Sequence, residues 1–121
     1  AKQIGVRSSV FTDLSLLTAL SNDISYERAY AEAIRQNMRK GDMLIAISSS
    51  GNSTNIVNAI NVARELNGTV VTISAMDENN AIRRLGDLNF YIVASTYGFA
   101  ETGHTVILHY WIDMLHQAEQ K

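Results

Sequence analysis

Met43-Leu44-Ile45-Ala46-Ile47-Ser48-Ser49-Ser50-Gly51-Asn52-Ser53 is an apolar run that ends in a hydroxyl-rich turn. Beyond it, as far as Leu66, Ile56, Ala59, Ile60 and Ala63 recur at helical spacing. The reading is a strand, a tight turn and a helix N-terminus in that order. The first amides of a helix lack intrahelical acceptors and the helix dipole is positive there, so the junction suits an anion, phosphate above all. Serine, asparagine and glycine are also ordinary cap and turn residues, but consecutive hydroxyls at Ser48, Ser49 and Ser50 followed by Gly51-Asn52-Ser53 exceed what capping needs. No G-x-G-x-x-G fingerprint and no Gly-Lys-Ser/Thr ending accompanies the turn, so a dinucleotide or P-loop nucleotide loses support and a monophosphate ester fits better.

Outward from this junction the chain alternates strand and helix. Ile4-Gly5-Val6 reads as a short strand, followed by a short helix carrying Leu14, Leu17 and Leu20 behind a cap at Thr12 or Asp13. Ser25 can cap a second helix in which Tyr26, Ala29, Tyr30, Ala33, Ile34 and Met38 keep the three-four rhythm, ended by Gly41-Asp42. Past the serine turn, Asn67-Gly68 terminates the helix and Thr69-Val70-Val71-Thr72-Ile73 is a β-branched strand. Asp77-Glu78-Asn79-Asn80 is a turn, a short helix surrounds Ala81, Ile82 and Leu85, and a strand runs from Leu88 to Ala94. The last helix is expected from about Glu101 to Gln117, with Leu108, Trp111, Ile112 and Leu115 on one side. Continuous apolar strands in alternation with helices imply an α/β fold, a parallel sheet flanked by helices on both faces. Ligands of such sheets bind beyond the carboxyl ends of the strands, where Ser48 to Ser53, Asp13 and Ser95-Thr96-Tyr97-Gly98 fall.

Bulk properties bound the partner. The 121 residues suit one domain with its own core, cysteine is absent, and a formal net charge of -2 argues against a general nucleic-acid or membrane-surface binder. No apolar run reaches the roughly 20 residues that span a bilayer. A soluble, cytoplasmic protein with a small-molecule partner is the expectation.

Two further groups could do chemistry. Glu101-Thr102-Gly103-His104 with His109 offers carboxylate and imidazole, which exchange protons near neutral pH as enolisation beside a carbonyl requires; the same histidines could instead be hydrogen-bonded packing residues. Glu101 to His109 implies ~12 Å of helical rise, so a zinc site from this helix alone is disfavoured and further ligands would come from another segment or subunit. Asp13 could accept hydrogen bonds from sugar hydroxyls or simply cap its helix. Tyr97 and Phe99 could line a pocket or close the loop.

From Gly41-Asp42 through Ser53 the chain resembles the sugar isomerase (SIS) domain, particularly bacterial phosphoheptose isomerases, the sedoheptulose 7-phosphate isomerase family. Thr12-Asp13-Leu14-Ser15, Asn22-Asp23, Tyr97-Gly98-Phe99-Ala100 and Glu101-x-x-His104 with His109 look like further landmarks in the family's order. The resemblance implies a Rossmann-like or flavodoxin-like three-layer sandwich, assembled as a homotetramer with sites at subunit interfaces. It implies that Ser48, Ser49, Ser50 and Ser53 hold the substrate phosphate, that Asp13 contacts the sugar, and that His109 is the catalytic acid/base. Asn52 is expected as a second sugar contact, and Glu101 as the second catalytic group, orienting substrate or acting as a further acid or base. Zinc is possible by resemblance, with Glu101 and His109 as its ligands here. Relatives usually carry glutamine where this chain has Glu101, a departure that bears on specificity or metal rather than fold. The implied activity is aldose-ketose isomerisation of a heptose phosphate through an enediol, in lipopolysaccharide or polysaccharide precursor synthesis. The alternative is a non-catalytic SIS module that binds phosphosugars or a protein such as a replication initiator. The family's N-terminal helices, first central strand, Gly-Asn-Gly-Gly-Ser turn and catalytic glutamate have no counterpart here, so residues 1–121 are expected to be the C-terminal fragment of a longer SIS phosphosugar-binding domain.

Overall fold

A computed structural model describes residues 5–120. Three strands, β1 (Met43–Ser48), β2 (Thr69–Ala75) and β3 (Leu88–Ile92), form one parallel sheet in the order β1-β2-β3. The register aligns Ser48 with Ser74 and Ser74 with Tyr91, so the carboxyl ends of the strands finish side by side. Around the sheet stand α1 (Leu14–Asp23), α2 (Tyr26–Asn37), α3 (Thr54–Glu65) and α4 (Tyr97–Glu119), with a 3-10 turn at Ala81–Arg84.

The two faces of the sheet are covered differently. In-register residues of a parallel sheet share a face and alternate along each strand. Leu44, Ala46 and Val70 face α2 and α3, where Ala31, Ile34, Ala59, Ile60 and Ala63 complete the main core. Ile73, Phe90 and Ile92 belong to the other face, on which α4 lies across β2 and β3. Phe90 meets Trp111 edge-on with ring centroids 5.1 Å apart. Gly103 allows this approach, because a Cβ there would stand 2.9 Å from Ile92 Cγ2. α1 packs outside α2 through half-buried Leu16, Leu17 and Leu20, whereas Leu14, expected on its apolar side, is exposed.

β2 is buried along nearly its whole length, as its β-branched composition implies. β1 is not. Its exposures alternate, and Met43, Ile45 and Ile47 are 60%, 39% and 37% exposed on the face that α4 leaves open. The continuous apolar character of β1 thus anticipates cover on both sides, while the described residues supply it on one.

Several boundaries differ from the sequence reading. α4 begins at Tyr97 rather than near Glu101, because Thr96 caps it by accepting from the Phe99 N–H. Glu101 therefore sits in the second turn, past the strongest field of the helix end. β3 ends at Ile92, short of Ala94. Of the expected strand Ile4-Gly5-Val6, Ile4 lies outside the described residues, and Gly5 and Val6 are turn and coil. Asn67 terminates α3 with φ 58, as expected of asparagine before glycine. Ser25, expected to cap α2, stands at its N-cap, but its side chain makes no capping bond.

Candidate functional site

β1 delivers Ser48 to the carboxyl edge of the sheet and α3 starts at Thr54, so the serine loop is the direct link between them in the chain. Inside it Ser48 Oγ accepts from the Gly51 N–H at 3.1 Å, and Ser50 Oγ accepts from the Asn52 N–H at 3.3 Å. These two hydroxyls brace the turn. Ser53 behaves otherwise: it occupies the N-cap of α3, yet its side chain makes no capping bond and instead accepts from Ser48 Oγ at 3.2 Å. The first turn of α3 is therefore left without its usual side-chain cap, which keeps donors and positive dipole available to an anion.

A cleft of about 280 Å³ opens over this loop. Ser48, Ser49, Ser50 and Ser53 all line it, together with Asn55 and with Tyr26 and Tyr30 from α2 and Tyr97 from the start of α4. The structure thus gathers the four serines expected to bind phosphate, and it makes Tyr97 a wall. Of the two tyrosines that the three-four rhythm places on one side of α2, Tyr30 packs against the core whereas Tyr26 is 57% exposed, and their rings meet edge-on at 6.5 Å. Asn55 is buried, its Oδ1 accepting from the Ile56 N–H at 2.9 Å. A polar residue in the first turn, one position from the apolar stripe of α3, was the available signal for it.

The other candidates fall outside this cleft. Asp13 Oδ1 accepts from the Leu16 N–H at 2.8 Å, so the aspartate caps α1. Asn52 turns its side-chain oxygen to the Ala81 N–H at 2.9 Å, which ties it to the 3-10 turn. Glu101 and His109 are exposed on α4 and do not line the cleft. His104 is the buried histidine, 4% exposed, with Nε2 lacking a partner. Burial lowers its pKa from 6.5, opposed by a hydrogen bond from the ring to the Ser74 backbone and by the Glu101 charge. It matches the packing alternative for these histidines.

Zinc takes about four protein or water ligands. No group of three or more histidine, aspartate or glutamate side chains able to hold a metal occurs among the described residues. Glu101 and His109 alone do not make a metal site.

Behind the loop the chain is tightly tied. The Ala75 N–H donates to the Ser49 carbonyl at 3.1 Å and the Ile82 N–H to the Gly51 carbonyl at 3.0 Å. Met76, next in the chain, takes φ 61, an uncommon conformation for a non-glycine residue. Tyr91 Oη holds it by donating to the Met76 carbonyl at 2.9 Å, while Arg83 stacks 4.0 Å over the Tyr91 ring.

Comparison with known proteins agrees with this arrangement. Residues 1–75 match the SIS domain family. Over 98 residues the chain is 36% identical to the phosphoheptose isomerase of Aliarcobacter butzleri, covering 81% of this chain and 51% of that protein. It is 31% identical over 106 residues to the phosphoheptose isomerase of Trichlorobacter lovleyi, covering 88% and 54%. Among solved structures, a phosphoheptose isomerase from Francisella tularensis superposes with a TM-score of 0.83 at 22% identity, covering 88% of this chain and 57% of that one. That from Neisseria gonorrhoeae gives 0.79 at 28% identity, covering 86% and 59%. The chain spans about half the length of the relatives it matches. Its three parallel strands, its helices on both faces and its sequence together show that this chain belongs to the SIS domain family.

Proposed function

We propose that the complete protein is a phosphosugar aldose-ketose isomerase, converting sedoheptulose 7-phosphate to an aldoheptose 7-phosphate. The observation that carries the reading is the convergence of Ser48, Ser49, Ser50 and Ser53 on one cleft at the uncapped N-terminus of α3. The names of the similar proteins support the substrate class. In this reading the cleft grips the phosphate, whose binding energy positions the reacting carbons at the far end of the sugar.

The chemistry is a proton transfer through an enediol. A base takes the proton from C1 of the ketose while O2 gains one; the enediol then loses the O1 proton as C2 is protonated, which leaves an aldehyde at C1. His109 moves protons between the two oxygens, and Glu101 orients the substrate or acts as a second acid or base. The same reading assigns the base for carbon to a residue other than these two. Because Glu101 and His109 are exposed on α4 rather than turned into the cleft, they suit a site shared between subunits, and a homotetramer with interfacial sites is part of the proposal. Asp13 and Asn52 as sugar contacts, zinc completed by ligands from elsewhere, and a cytoplasmic role in polysaccharide precursor synthesis belong to the same reading. No helix is long and apolar enough to cross a membrane among the described residues.

The test is an assay of the complete protein on a panel of sugar phosphates, with His109→Ala and Ser50→Ala. Turnover of a heptose phosphate, lost in His109→Ala and weakened through KM in Ser50→Ala, is expected. Binding without turnover of any sugar phosphate would make the protein a non-catalytic module, and full activity in His109→Ala would remove that histidine from the mechanism.

A further inference from the structure

The turn after β2 takes no part in the chemistry above, yet it backs the serine loop. Asn80 within it is 4% exposed, and every part of its amide is engaged. Nδ2 donates to Ser74 Oγ at 3.0 Å and to the Asp77 carbonyl at 2.7 Å, while Oδ1 accepts from the Arg83 N–H at 3.0 Å. An amide fixed from both ends cannot swing aside.

Gly51, the tip of the serine loop, lies flat against it. Gly51 has φ 67, and a Cβ built there would overlap the Asn80 side chain. The contact is reinforced on either side by the bonds from Ala75 to Ser49, from Ile82 to Gly51 and from Ala81 to Asn52. The loop is thus held along its back while the serines face the open cleft. A binding loop already held in its bound shape spends less of its interaction energy on ordering.

We propose that Asn80 is a positioning residue for phosphate binding, a buttress that holds Gly51 and through it the hydroxyls of the serine loop in their binding arrangement. This rests on the phosphate reading of the cleft. Ser74 is the second member of the device, since its hydroxyl fixes the Asn80 amide and its backbone stands under α4 at His104. Loss of the buttress acts on phosphate affinity and KM, whereas a merely structural role would lower the melting temperature and leave the affinity of the folded protein unchanged.

The experiment uses the complete protein and inorganic phosphate as probe, titrated by calorimetry at a temperature where circular dichroism shows every variant folded. Asn80→Ala is expected to raise the Kd about tenfold and Ser74→Ala about threefold, the scale of one or two lost hydrogen bonds. KM for a phosphorylated sugar should rise in step, with kcat changed less than about twofold. Ser74→Ala, which removes one hydroxyl, carries the test if Asn80→Ala does not fold. Wild-type protein that binds phosphate, with variants of unchanged Kd, would overturn the buttress and leave the phosphate reading standing. Wild-type protein that binds no phosphate would overturn both.

Discussion

Ser53 occupies a cap position without capping, and that separates its two roles experimentally. Replacing a true N-cap serine by alanine costs ~1 kcal/mol. Because Ser53 makes no capping bond, Ser53→Ala should cost less than about 0.5 kcal/mol in urea unfolding while phosphate-ester affinity falls clearly. A large stability loss with unchanged affinity would return the serine to ordinary capping. His104 gives a second test at this scale. Its pKa is lowered by burial from 6.5, so between that value and the folded one the unfolded chain binds the extra proton. Stability is therefore complete above about pH 6.5 and is lost as pH falls through the folded pKa. The urea midpoint of the complete protein should decline on the acid side, and His104→Gln should flatten that decline; an unchanged slope would mean that another group titrates. At this scale the four serines were legible because hydroxyls cluster beside a strand end. Asn80 was legible only as a turn residue, since its value lies in contact with Gly51, far away in the chain.

At the level of elements, the strand-turn-helix order around Ser48 was readable because an unbroken apolar run leads into the hydroxyl turn and three-four spacing follows it. The start of α4 was not. Tyr97-Gly98-Phe99 does not look like a helical first turn, and only the Thr96 cap reveals that one is formed. The uncovered face of β1 was equally hidden, because Ile45 and Ile47 carry the same apolar signal whether a neighbour covers them or not. Asp13 caps α1, and that bond leaves a contact with sugar to be tested separately. Its cap bond to Leu16 survives in asparagine, so Asp13→Asn should keep α1 and the melting temperature, whereas Asp13→Ala should cost about 1 kcal/mol. If Asp13 also contacts sugar, Asp13→Asn loses turnover at unchanged stability; if turnover is unchanged too, capping is its whole role.

For the whole molecule, the balance of covered and open surface matters most. Met43, Ile45 and Ile47 on β1 and Val106, Tyr110 and Met114 on α4 present apolar area that nothing covers among the described residues. Surfaces of this kind mark interfaces or, when left bare, drive association. Residues 1–121 produced alone should therefore self-associate or melt without cooperativity, and light scattering should show Ile45→Thr with Ile47→Thr shifting the population toward monomer. A monodisperse monomer with a sharp melt would contradict this. Everything proposed for this SIS domain depends on the serine loop binding a phosphate. That binding is tested most directly by titrating the complete protein with sedoheptulose 7-phosphate and with unphosphorylated sedoheptulose. Saturable binding of the phosphate ester, no measurable binding of the free sugar, and a weakened preference in Ser50→Ala are expected; equal binding of both sugars, or none of either, would rule out a phosphate grip.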